Sequence, residues 1–183
     1  LAEEGEAAAL VARALHETRG AQTARAWIDQ AEPRASAATR PFLALERARV
    51  SIEEDELDAA LEILAPRSAA DGAEAPALAP ERPESWLYLG RACARRGELE
   101  RARAPLERFL ALAPRHAEAP AAHYSLSQEA LRRGDGAAAR AHAERAAELG
   151  EWHSYLRVRL LQVRESPDEP LPRLGLALTW IHA

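Results

Sequence analysis

Apolar residues in this chain recur at spacings of three and four, the period of an amphipathic helix. Trp86, Leu89 and Cys93 fall on one such stripe, and Ala102, Leu106 and Phe109 on a second. Between them, Arg95-Arg96-Gly97-Glu98 reads as a stop and a restart. Arginine suits the negative end of a helix dipole, and glycine takes the left-handed conformation just past a helix C-terminus. Ala113-Pro114 ends the second stripe, because a residue before proline avoids the helical region. The pattern predicts two antiparallel helices joined by a short turn, with Gly90 and Ala102 small where the helices meet closely.

The same pattern returns along the chain. Gly134-Asp135 stands 37 residues after Gly97-Glu98, and Leu126, Ala130, Ala139, Ala143 and Ala146 follow the two stripes. The second helix of this copy is nearly all alanine, so it forms readily but buries little. Replacing Ala143 by leucine is expected to add stability if this register holds, and to overpack the hairpin if it does not. Upstream, Leu57-Asp58-Ala59-Ala60-Leu61-Glu62-Ile63-Leu64 reads as a second helix, preceded by a first helix over 42–53 with Ala48 at its contact point. An earlier copy starts near Gly5 and carries Ala12, Leu15, Ala24 and Ile28. Beyond Gly150, Trp152, Tyr155, Leu156, Leu160 and Val163 form an amphipathic stripe. Ser166-Pro167-Asp168-Glu169 then reads as a capped helix start. Residues 65–82, rich in proline, alanine and glycine, read as an exposed loop between copies.

Counted from Pro83 as position 1, Trp86 is at 4, Leu89 at 7, Gly90 at 8, Cys93 at 11 and Gly97 at 15. Ala102 is at 20, Leu106 at 24, Phe109 at 27 and Pro114 at 32. In this register the segment resembles one tetratricopeptide repeat, a helix–turn–helix of about 34 residues. The resemblance implies an all-α fold, a right-handed α-solenoid of antiparallel helix hairpins with about four to five repeats. They fall near residues 5–38, 41–74, 83–116 and 120–153, with divergent helices over 152–183, in a single domain spanning 1–183. Repeat arrays bury a continuous core only by stacking, and their ends are normally polar. Trp180-Ile181-His182-Ala183 is an apolar end, and methionine is absent, so the chain is expected to be a piece of a longer protein.

The resemblance also implies a role: holding a protein or peptide partner. In such arrays, positions 2, 5, 9, 12 and 13 of each first helix line the concave surface. The candidate binding residues are therefore Arg13, Arg49, Leu87, Arg91, Arg95, Tyr124, Gln128 and Arg132. Arginine recurs at position 9 in three copies, as Arg13, Arg49 and Arg91. Guanidinium groups hold carboxylates bidentately, so an extended acidic peptide is the expected ligand, with Phe42, Leu87 and Tyr124 supplying apolar contacts. The same arginines also suit pairing with Glu17, Glu53 and Glu84 on a solvated helix face. The second functional reading is a structural assembly module inside a larger complex. Repeat domains that grip the Glu-Glu-Val-Asp tails of heat-shock chaperones use a lysine–asparagine–arginine clamp. This chain has neither lysine nor asparagine, which argues against that role.

Composition narrows the alternatives. Hydrophobic residues at 48% and charged residues at 29% are ordinary for a water-soluble globular chain, while aromatics at 5% make the core thin. A net charge of −5 lacks the basic footprint of a nucleic-acid binder. No apolar run approaches the ~18 residues that membrane insertion needs. The acidic start is not a secretory signal as it stands. A signal already removed would place the chain in the periplasm, so both that compartment and the cytoplasm stay open. All 24 basic residues are arginine, and alanine and proline abound, which points to GC-rich coding and a bacterial source. Cys93 occupies a core position and reads as an inert thiol. Glu53-Glu54-Asp55-Glu56 reads as a solvated turn ahead of a helix. The six histidines read as scattered surface residues, so no metal site is expected. No nucleophile elbow, Walker loop or dinucleotide fingerprint is present, so neither an enzyme nor a cofactor is expected.

Overall fold

The computed structural model describes residues 2–64, 67–68, 74–75 and 78–149. The helices expected over 152–183, and the apolar end at Trp180, lie outside the described residues. Among the described residues eight helices follow one another: α1 (Ala2–Arg19), α2 (Ala21–Ala31), α3 (Arg40–Glu53), α4 (Leu57–Leu64), α5 (Pro83–Arg95), α6 (Leu99–Leu112), α7 (Ala119–Arg132) and α8 (Gly136–Leu149). A 3-10 turn, Glu32–Arg34, follows α2. Within the segment expected to be a loop, Arg67–Ser68 pairs antiparallel with Glu74–Ala75. The fold class is all-α, built of helical hairpins.

Three of the four described hairpin turns share one backbone solution. The N–H of Glu56 donates to Ser51 O at 2.8 Å, that of Glu98 to Cys93 O at 2.9 Å, and that of Asp135 to Ala130 O at 2.9 Å. Each is the long bond that closes a helix end around a left-handed residue. That residue is Gly97 (φ 86°), Gly134 (φ 77°) and, in the α3–α4 turn, Asp55 (φ 64°). Aspartate reaches this region at an energetic cost that glycine avoids. The Asp135 carboxylate then accepts the Ala138 N–H at 3.0 Å and caps α8.

The chain divides into two compact units, residues 1–114 and 115–183. In the first, α1–α2, α3–α4 and α5–α6 form three hairpins. Helix α1 lies against α3, and α3 against α5, so each hairpin buries its apolar stripe on the next. Ala12, Ile28 and Leu43 join the first two hairpins in one fully buried cluster. Leu89, Cys93, Leu106 and Phe109 are sealed in the third. A Cβ added at Gly90 would sit 2.6 Å from the Leu106 side chain, so α5 and α6 touch at this point. Gly5 plays the same part against the Phe42 ring, also at 2.6 Å. Trp86 is half-buried, and its indole N–H donates to Pro80 O at 2.7 Å, bracing the turn ahead of α5.

In the second unit, α7 packs on α8 around Leu126, Ala130, Ala139 and Ala146. Leu106 and Phe109 each bring ~1.5–3 kcal/mol of apolar burial to the third hairpin. Ala143 and Ala146 stand in their places here and supply far less.

Candidate functional site

A cleft of about 320 Å³ opens where α1, α3 and α5 come together in the first unit. Its walls carry Leu10 and Arg13 from α1, Phe42 and Glu46 from α3, and Glu84 and Tyr88 from α5, with Arg82 at one edge. Leu10 is 63% exposed, an unusual state for a leucine and the apolar lip of the cleft. The Arg82 guanidinium lies over the Phe42 ring, 4.3 Å from its centroid, a cation–π contact that fixes both.

Polar groups around the cleft form a chain of ion pairs. Arg13 donates to Glu46 at 2.6 Å across the α1–α3 boundary. Glu46, only 3% exposed, also accepts from Arg49 Nε at 2.7 Å. Arg49 is itself buried and reaches Glu53 at 2.8 Å, and His16 meets the same carboxylate at 3.1 Å. Burial opposes the charge on Arg13 and Arg49, yet the hydrogen bond and charge of Glu46 outweigh it and hold both guanidinium pKa values above the ordinary range. Burial, and then the charge on Glu46, pushes the Tyr88 phenol well above its usual pKa.

Several buried atoms here have no hydrogen-bond partner: Arg13 Nε, Arg82 Nε, Arg49 Nη2 and Glu84 Oε2. Arg82 Nε and Glu84 Oε2 face one another at 3.5 Å, close enough for charge attraction but long for a hydrogen bond. The cleft therefore offers both donors and an acceptor.

The residues expected from repeat positions distribute unevenly. Arg13 lines the cleft. Arg49 is buried and held by two carboxylates, so pairing within the chain describes it. Leu87 is 1% exposed and belongs to the core. Arg91 is half-buried. Arg95 is exposed, donates to Ile52 O and pairs with Asp55 at 3.2 Å. Tyr124 and Gln128 are half-buried and Arg132 exposed on α7, in the second unit. Glu46, Arg82, Tyr88 and Leu10 were not anticipated. Their signal was faint: Glu46 is one glutamate among many, and Arg82 precedes its helix.

One more polar contact was missed. His123 on α7 and His142 on α8 face each other with their Nδ1 atoms 3.0 Å apart. Burial, followed by His142 and Arg145, lowers the His123 pKa to about 4. Among the described residues, no group of three or more histidine, cysteine or carboxylate side chains is placed to hold a metal ion. No helix among them is long and apolar enough to cross a membrane.

Stacked two-helix hairpins with glycine-closed turns define a helical-repeat protein. Residues 83–119 match the tetratricopeptide repeat family model. A search of curated proteins returned no match. Repeats of this family mediate protein–protein interactions and are generally non-catalytic scaffolds.

Proposed function

We propose that the chain is a non-catalytic scaffold that holds an extended partner segment in the α1–α3–α5 cleft. The observation that carries this reading is the mixed set of buried atoms without a hydrogen bond, donors on Arg13 and Arg82 and an acceptor on Glu84, the last two held together only by charge at 3.5 Å. An extended polypeptide backbone presents carbonyl and N–H groups together, whereas a simple anion offers acceptors alone. Leu10, Phe42 and Tyr88 suit an apolar side chain of that segment. An acidic side chain beside it would meet Arg13, with Arg91 and Arg95 as further contacts; Tyr124, Gln128 and Arg132 on α7 are proposed contacts of the second unit by itself. Arg49 and Leu87 act from beneath, the first by orienting Glu46.

The test is fluorescence anisotropy with extended peptides that share an apolar anchor and differ in flanking charge. Acidic-flanked peptides are expected to bind best, and Arg13→Ala with Arg82→Ala to weaken them by about tenfold or more. Equal affinity for acidic and basic flanks, or no change in Arg91→Ala/Arg95→Ala and Arg13→Ala/Arg82→Ala proteins, would retire the reading.

The assembly-module reading draws on Leu10 and Val11, exposed side by side on α1 at 63% and 43%. Light scattering on the isolated chain separates the two: a monodisperse monomer supports the cleft, and concentration-dependent self-association supports the module.

A further inference from the structure

Helices α5–α6 and α7–α8 align residue for residue at the offset that relates Gly97 to Gly134. In that alignment His123 takes the place of Trp86, and His142 the place of Pro105. Leu106 and Phe109 become Ala143 and Ala146, so the α7–α8 hairpin has lost apolar volume and gained two imidazoles. These rings meet across the helix pair, with centroids 5.3 Å apart and planes inclined by 38°. Their Nδ1 atoms lie 3.0 Å apart, sharing one hydrogen between two lone pairs.

We propose that His123 and His142 form a two-imidazole site for a divalent late-transition ion, of the zinc, nickel or copper kind, that clasps α7 to α8. Imidazole nitrogen is a preferred donor for these ions. At a metal–nitrogen distance of about 2.1 Å, two ligands sit about 3.0 Å apart at the right angle of square-planar copper or nickel, and about 3.4 Å apart at the tetrahedral angle of zinc. The observed Nδ1 separation already has the first of these values, so the ion needs each ring to turn its lone pair outward while the spacing of the two nitrogens is kept. The ion takes the Nδ1 lone pair of each ring. The shared hydrogen leaves Nδ1, and that ring carries a proton on Nε2 instead, so both imidazoles stay neutral. Water completes the coordination sphere. The nearby cation Arg145 is paired with Glu148 at 2.8 Å, which offsets its repulsion of the ion. Because the ligands are 19 residues apart in sequence, the unfolded chain does not present them together, and the ion stabilises the folded hairpin by mass action.

The experiment uses the full chain freed of metal with chelator, then titrated calorimetrically with zinc, nickel or copper(II). One ion per chain is expected. The melting temperature is expected to climb by roughly 3–5 °C for each tenfold excess over the dissociation constant. His123→Gln and His142→Gln are each expected to weaken binding by about tenfold or more. His123→Phe restores the aromatic that Trp86 supplies in the preceding hairpin, so it should fold well yet show no metal-dependent rise in melting temperature. Copper(II) resonance spectra should show coupling to two imidazole nitrogens, lost in the same variants, while His116→Gln leaves them intact. No binding below about 1 mM ion, or an undiminished response in well-folded His123→Phe, overturns the proposal.

Discussion

Gly90 and Leu106 face each other so closely that a single added carbon on the glycine would lie 2.6 Å from the leucine side chain. Both are buried. Gly90→Ala is therefore expected to destabilise the chain by ~1–3 kcal/mol through overpacking, despite the better helix propensity of alanine. Urea unfolding of the variant measures it, and a midpoint at or above that of the parent would contradict the contact.

The equivalent pair in the next hairpin is Ser127 and Ala143, with the larger member now on the other helix. By this exchange the overpacking outcome for Ala143→Leu alone is the one expected. A leucine on α8 needs the room that a glycine on α7 would give. The single Ala143→Leu change is expected to cost ~1–3 kcal/mol. In the Ser127→Gly/Ala143→Leu double variant, which rebuilds the Gly90–Leu106 pair, most of that loss should return. A double-mutant cycle with a coupling of about 1 kcal/mol or more supports the register, and simple additivity refutes it.

At the α3–α4 turn, Asp55 occupies the left-handed position that glycine fills in the two later hairpins. Asp55→Gly removes a backbone cost of ~1 kcal/mol and gives up an exposed pair with Arg95 worth somewhat less. A net gain of ~0.5 kcal/mol is expected, whereas Asp55→Ala should lose ~1 kcal/mol. Thermal melts of the two variants should move in opposite directions.

These turns show what the sequence discloses and what it hides. Gly97 and Gly134 announce themselves, because glycine after a helical stripe has few other uses. Asp55 reads only as one carboxylate in an acidic run, since nothing local says that its φ is positive. Counted from residue 41, Leu45 and Ile52 fall at positions 5 and 12, which face the concave surface in such repeats, yet both are buried, because α3 lies between α1 and α5. Glu46 was invisible as a hub: its partner Arg13 is 33 residues away, and only the stacking of α1 on α3 selects it from many glutamates. His123 and His142 belong to different helices and meet for the same reason.

Glu46 joins two arginines while almost wholly withdrawn from water, and Arg49 is 7% exposed. Glu46→Ala leaves a buried guanidinium with Glu53 as its remaining carboxylate partner among these contacts. A loss of ~3 kcal/mol is expected, near the low end for breaking a buried pair. Arg13→Ala should cost under ~1 kcal/mol, since that side chain is 42% exposed and Glu46 keeps Arg49. Similar losses from both substitutions in chemical denaturation would show that Glu46 is not the hub.

Tyr88 supplies a pH test of the same buried cluster. An ordinary tyrosine ionises near pH 10. Burial, and then the negative charge on Glu46, keeps the Tyr88 phenol protonated beyond that point in the folded chain. Above about pH 10 the unfolded chain releases this proton while the folded chain retains it. The unfolded state then binds fewer protons, and stability falls as pH rises. The contribution is fully present below the unfolded pKa, so neutral and mildly alkaline solutions should not reveal it. Tyr88→Phe keeps the ring and removes the proton, so its alkaline unfolding midpoint should lie higher than that of the parent chain. In the parent, one phenolate signal should appear only together with loss of helical circular dichroism. A Tyr88 signal that titrates near pH 10 in a chain still fully helical would mean that the phenol is open to water and not buried beside Glu46.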